Sequence, residues 1–415
     1  RTYGMRMLRQ PSASWPDALL MMGDQVPDRV VDLVAEREVH ANGPVEVLED
    51  FEEYCIGYWD AWSDPVVRWM LSTLPTSMMF DDHEINDKWN TSQAWLDEKR
   101  STDWYQTRIM GGLMAYWIYQ HLGNMSPKEL ADDETLQQVL ASRDGAEPIR
   151  MLAKQAESDD GASRFSMCRD LGSVRLIVAD SRTGRQLRPG DRRIMSDEEW
   201  DWIRAKIDGR YDHLLFASSL PILLPYGMHH IEGWSEAVTD GAWGRRLTGL
   251  GEMVRMTANL DHWACFQHSF RRFEDLVVDV ATGECGEAPE SMIMFGGDVH
   301  HCWVSEVELP ENTPSTQTKI WQVVCSGLRK EPSAVERIVL RLGHTRAAEV
   351  VGKLLVRTAG VGEPRLRWRP VTMPHFRNQI GTLEIAGGEI GVRIEKVSGG
   401  WRKPHLDTVI EHKLL

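Results

Sequence analysis

The feature that most restricts the fold of this chain is a set of short apolar runs, each stopping abruptly in polar residues. The runs cover residues 18–22, 78–80, 174–179, 214–217, 292–295 and 320–325. They are too short for core helices and suit strands buried in a sheet. Helical patterns lie between most of them. Ser126, Pro127 and Glu129 supply an N-cap, a first-turn proline and the far end of a capping box. Ser196 and Glu199 form a second capping box ahead of "EEWDWIRAKI". Residues 104–121 and 252–280 also read as helices. Strands alternating with helices predict an α/β architecture. The tail differs. Residues 332–358 read as one or two helices broken near Gly343, and "IGTLEIAGGEIGVRIEKV" reads as a β-hairpin turning at Gly387 and Gly388. No internal repeat or low-complexity linker is evident.

The exits from these strands share a chemistry. Met22 leads to Gly23, Asp24 and Gln25; Phe80 to Asp81, Asp82, His83 and Glu84. Ala179 leads to Asp180, Ser181 and Arg182, and Ala217 to Ser218, Ser219 and later His229 and His230. Phe295 leads through two glycines to Asp298, His300 and His301. Ligands of open α/β sheets bind beyond the carboxyl ends of the strands. Exits placed side by side would gather carboxylates, imidazoles and an arginine. Such a set holds hard metal ions. The ions polarise a phosphoryl oxygen and acidify water, a nearby histidine protonates a leaving oxygen, and arginine forks onto phosphate oxygens. Each piece has a plainer reading: Asp24 as a turn or helix cap, Asp81–Glu84 as a solvated helix start, His229 and His230 as surface loop, Arg182 as a partner of Asp180 or a helix cap. Their order along the chain favours the joint reading.

Composition narrows the alternatives. The formal net charge of −15 argues against a stable nucleic-acid complex. The six cysteines are scattered with no C-x-x-C pair and read as mostly reduced thiols rather than a disulfide framework or zinc finger. No apolar run approaches the length of a membrane span, and no signal peptide is visible. Many of the 17 tryptophans sit in helical stretches and read as residues of amphipathic helices packing on a core.

The order Gly-Asp, then Asp-Asp-His-Glu, then Gly-Asp-Val-His resembles the alkaline phosphatase D, or PhoD-like, family of the calcineurin-like metallophosphoesterases. The runs "FDDHEINDKWNTS", "GGLMAYWIYQHLGNMSPKEL", "LLPYGMHHIEGWSEAV", "HWACFQHSFRR" and "PHFRNQIGTLEI" are similar to its actinobacterial members. The resemblance covers nearly the whole chain. It implies an αββα sandwich of two mixed sheets flanked by helices, with a C-terminal helical segment and β-hairpin. It also implies a core domain over 1–330 and the C-terminal additions over 331–415. The implied activity is hydrolysis of a phosphomonoester or phosphodiester at a dinuclear metal site, with iron and calcium as the implied ions and other divalent metals as alternatives. By position, Asp24, Asp82, Asp298 and His300 would be metal ligands, with Asp24 bridging. His83 and His301 would take catalytic roles, and Arg182 and His230 would approach the phosphate.

The chain also departs from that pattern. The resemblance implies a tyrosine ligand where this sequence has Pro27, and an upstream cysteine ligand on a first strand that is missing or altered here; Asp28 would be the candidate to replace one of them through a shifted loop. The alternative expectation is therefore a non-catalytic relative with a binding or structural role. A metal-independent serine hydrolase is disfavoured because no Gly-x-Ser-x-Gly elbow occurs. The substrate, the oligomeric state and the choice between cytoplasm and export stay open at this level.

Overall fold

The computed structural model describes residues 1–26, 48–86, 89–158, 164–326, 332, 334–400 and 403–415. The chain divides into two compact units, the first comprising residues 1–167 with 182–184, the second 168–181 with 185–415. Among the described residues the architecture is α/β, with helices around several sheets.

In the first unit, strands β1 (Leu19–Met21) and β2 (Thr76–Met78) pair in parallel, Leu19 opposite Thr76 and Met21 opposite Met78. The second strand covers 76–78 where the apolar run suggests 78–80, and beyond it the Met79 amide still donates to the Met21 carbonyl. Met79 and Phe80 are still buried, and Phe80 packs edge-on against Trp89 and Tyr116. Helix α1 (Phe51–Trp62) starts at Asp50, whose side chain accepts the Glu53 amide. Helix α2 (Asp103–Tyr116) continues into a π-helical turn, Trp117–His121, so the expected helix over 104–121 is present. The capping box at Ser126 is formed as expected.

The second unit is built on an eight-stranded mixed sheet. Its strands are β3 (Met167–Leu171), β4 (Val174–Ala179), β5 (His213–Ser218), β6 (Ser291–Gly296), β7 (His301–Glu308), β8 (Lys319–Val324), β9 (Arg367–Pro370) and β10 (His375–Phe376). The order is β10-β7-β8-β6-β5-β4-β3, with β9 also on β7. Strands β4, β5, β6 and β8 run parallel to one another, and β7 is antiparallel to β8. All six residues of β5 are buried, as expected for a parallel strand covered on both faces. A three-stranded antiparallel sheet follows: β11 (Gln379–Ala386), β12 (Glu389–Ser398) and β13 (His405–Lys413). The first two form the hairpin expected at Gly387 and Gly388, both with positive φ. The two sheets meet where the Trp321 ring touches His412.

Helices of this unit include α3 (Asp197–Ile207), capped by Ser196, and α4 (Tyr226–Thr239). The stretch 252–280 is not continuous. One helix, Thr248–Ala258, stops at Asn259 in the left-handed region, and α5 (Gln267–Thr282) starts after a 3-10 turn. The helical tail is broken where the sequence suggests, into α6 (Ala334–Gly343) and α7 (Arg346–Thr358).

Candidate functional site

In the first unit, parallel pairing of β1 and β2 brings two of the sequence motifs to one place. Past Met21 the chain runs through Gly23 and Asp24; past Met78 it reaches Asp81 and Asp82. A ligand oxygen from each of Asp24, Asp81 and Asp82 lies within 4.8 Å of the others. Asp81 and Asp82 are buried, at 0% and 1% exposure. Gly23 has φ +91°, and a side chain there would bring its Cβ to 2.5 Å from the Asp81 Cβ. Only glycine lets the two exits approach so closely. Asp24 itself sits at φ +56°, in the left-handed region.

Two buried residues hold this arrangement. Glu84 accepts the Gln25 amide at 2.6 Å, the Asp81 amide at 2.9 Å, the Asp24 amide at 3.2 Å and the Gln120 side chain at 3.2 Å. Burial pushes its carboxyl up to about 7, against these hydrogen bonds, which favour the ionised form. Arg182, fully buried, donates through Nε to Asp81 at 2.5 Å and lies 3.3 Å from Asp82 through Nη2. Its backbone carbonyl accepts from Asn90. Arg182 is thus engaged with the carboxylates themselves. His83 lies in the 3-10 turn Asp82–Glu84; its side chain, like Pro27 and Asp28, is outside the described residues.

Among the described residues, three carboxylates gather beside one guanidinium in a largely buried setting. Clustered carboxylate oxygens are the donors that a hard cation takes. The donor set therefore fits a metal ion.

The third motif lies in the second unit. Strand β6 ends at Gly296, packed so tightly on Pro221 that a Cβ there would meet the Pro221 Cα at 2.6 Å. The Gly297 amide donates to Ser219, and Asp298 and His300 both have left-handed backbone, φ +60° and +54°. The His300 amide donates to Ser326 Oγ at 3.1 Å. Asp298 approaches Asp261 and His262, ligand atoms of all three lying within 4.8 Å. Glu232 on α4 lies behind His262, its Oε1 2.7 Å from Nδ1.

The remaining expected residues are in other surroundings. His301, the first residue of β7, has no exposure; its Nδ1 is 2.6 Å from the Val299 carbonyl. It stacks on Trp303 and Phe376, and its Nε2 is 3.4 Å from that of His344. Burial drives it down to about 3, so it is neutral at ordinary pH. His230 is buried on α4, 3.8 Å from Glu363, and burial lowers its pKa as well.

Asp81 and Glu84 stand in a strand exit that the sequence marks but without an individual role, and Glu232, Asp261 and His262 are not marked by the sequence as site groups. The spacing Asp81-x-x-Glu84 was a usable signal, since it forms a capping box around the 3-10 turn. For Glu232, Asp261 and His262 the sequence carries no comparable mark, because they meet only in the tertiary fold.

The sequence profile of the PhoD-like phosphatase family matches residues 2–349. The chain belongs to this family. Among solved structures, one described as "Structure of PhoD" matches all of this chain and 68% of its own, with a TM-score of 0.52 and 10% identity. At that identity the likeness shows the fold, and it agrees with the α/β architecture above. No curated protein matched. Family membership supports a phosphoesterase class of function, and PhoD-like phosphatases are metal-dependent.

Proposed function

We propose that this chain is a metal-dependent phosphoester hydrolase acting on a small phosphomonoester or phosphodiester. The observation that carries the reading is the group of Asp24, Asp81 and Asp82 at two paired strand ends. Asp24 and Asp82 would hold one ion. Within the second unit, Asp298, with His300 and with Asp261 and His262 beside it, would hold another ion; iron and calcium are the proposed metals. Bound ions would polarise a phosphoryl oxygen and lower the pKa of water. The chain's own groups do the rest. Glu84 fixes the two strand exits, and Arg182 orients Asp81 and Asp82. His83, next to Asp82 in the turn, is the proposed proton donor to the leaving oxygen.

A second reading has one observation in its favour. Arg182 supplies a countercharge to Asp81 and Asp82 without any metal, as a non-catalytic relative would need.

Elemental analysis of the purified chain beside Asp24→Asn, with hydrolysis of p-nitrophenyl phosphate and its bis ester, separates the two. About two ions per chain, with both metal and activity falling in the variant, is the outcome expected of the enzyme. A metal-free, inactive wild type that is as stable as its metal-treated form would establish the non-catalytic reading.

A further inference from the structure

Helices α6 and α7 carry the same side-chain order twelve residues apart. Ile338, Val339, Arg341 and Leu342 in the first correspond to Val350, Val351, Lys353 and Leu354 in the second. The six aliphatic side chains of these two sets are each 54–61% exposed. In each helix they occupy positions i, i+1 and i+4, which is one helical face. Isolated exposed aliphatics need no explanation, but an exposed apolar face repeated at the same spacing on two consecutive helices does.

The opposite side of α7 is fixed. A Cβ on Gly352 would come within 2.8 Å of the His230 Cβ and 3.2 Å of the Gly227 carbonyl, so α7 lies close against α4. Val356 is buried with Trp234 and Val238. The apolar outer face of α7 is therefore not an unpacked core face of a loose helix. It belongs to a helix whose inner face is already satisfied.

Charge indicates what covers it. The whole chain is strongly acidic, at −15, yet residues 334–358 carry Arg337, Arg341, Arg346, Lys353 and Arg357 against only Glu336 and Glu349. Arg341, Arg346 and Arg357 are exposed, Arg341 lying over the Phe376 ring and Arg357 3.7 Å from Glu363. A second copy docking hairpin to hairpin would oppose like charges. An aliphatic face bordered by arginines complements an anionic lipid surface. No described helix is long and apolar enough to cross a membrane. We propose that the α6–α7 hairpin docks this protein onto anionic lipid surfaces, Arg341, Arg346 and Arg357 meeting headgroups while the aliphatic face enters the headgroup–acyl boundary. The proposal does not depend on the phosphoesterase reading.

The test is co-sedimentation of the full chain with vesicles of phosphatidylcholine alone or mixed with phosphatidylglycerol. Two variants accompany it: Val339→Asn/Leu342→Gln/Val351→Asn/Leu354→Gln, and Arg341→Gln/Arg346→Gln/Arg357→Gln. All seven sites are exposed, and circular-dichroism melting checks that each variant folds. The wild type is expected to bind the mixed vesicles only, and less at high salt. The arginine variant should lose affinity on the order of a hundredfold, and the polar variant should lose binding altogether. No binding to the mixed vesicles, or equal binding by folded variants, overturns the proposal. So does a wild-type dimer that the polar variant converts to monomer without any vesicle binding, since the face then belongs to a second copy.

Discussion

Glu84 Oε1 accepts the Gln25 amide at 2.6 Å, across 59 residues of chain. Its other oxygen accepts the amides of Asp24 and Asp81. One buried carboxylate thus ties together the exits of two strands. Glu84→Gln keeps the volume but turns a donor toward backbone N–H groups. It should cost roughly 10- to 100-fold in metal affinity, as removal of groups that orient ligands commonly does. Calorimetric metal titration of wild type and variant checks this. Unchanged affinity would remove Glu84 from the support of the site.

Gly23→Ala should be far more damaging than an ordinary loop substitution. The new Cβ would lie 2.5 Å from the Asp81 Cβ, at a φ of +91° that alanine rarely adopts. Strain and overpacking together predict a loss of about 1–3 kcal/mol and a displaced Asp81. Urea denaturation reads the first, and reduced metal stoichiometry reads the second.

Arg182→Gln should leave Asp81 and Asp82 buried without their guanidinium. Breaking a buried pair from one side typically costs about 3–5 kcal/mol. Added metal should recover part of that loss, because an ion binding the folded state stabilises it by mass action. Denaturation with and without metal is the measurement. A variant as stable as wild type in chelator would show that the carboxylates tolerate burial unaided.

His262 and Glu232 predict a pH dependence of the metal-free protein. Burial opposes the imidazolium, but the carboxylates of Glu232, Asp261 and Asp298 outweigh it and raise His262 from 6.5 to about 9. Burial also pushes Glu232 upward, which favours a neutral pair. The charged pair prevails because Asp261 and Asp298 add negative charge on the imidazole side. A raised folded-state value means that stabilisation is full below 6.5 and is lost as pH rises through about 9. The midpoint of unfolding should fall across that window, and His262→Gln should flatten the fall. A flat wild-type profile would mean that the pair is neutral.

Much of the sheet was legible because buried parallel strands need continuous apolar runs. The run 174–179 coincides with β4, and the Gly387-Gly388 turn sits where positive φ requires it. Strand β7 was not read, since His301 to Glu308 mixes polar and apolar residues and becomes a strand only by pairing with β8 and β9. His301 shows the same limit. Its neighbours in sequence suggest chemistry, while its neighbours in space are Trp303, Phe376 and His344.

The sequence by itself determined the α/β class, the positions of most strands and the polar exits that mark this family, because periodicity, caps and glycines act over a few residues. Only the tertiary structure decided which exits meet. The Met21–Met78 register brings Asp24 to Asp81 and Asp82, and Arg182 comes from about a hundred residues away to face them. It likewise joined Glu232, His262 and Asp298, which no local pattern connects. The physical reason is one of range: backbone propensity is set by near neighbours, whereas buried charges are settled by whatever countercharge the whole fold brings within reach.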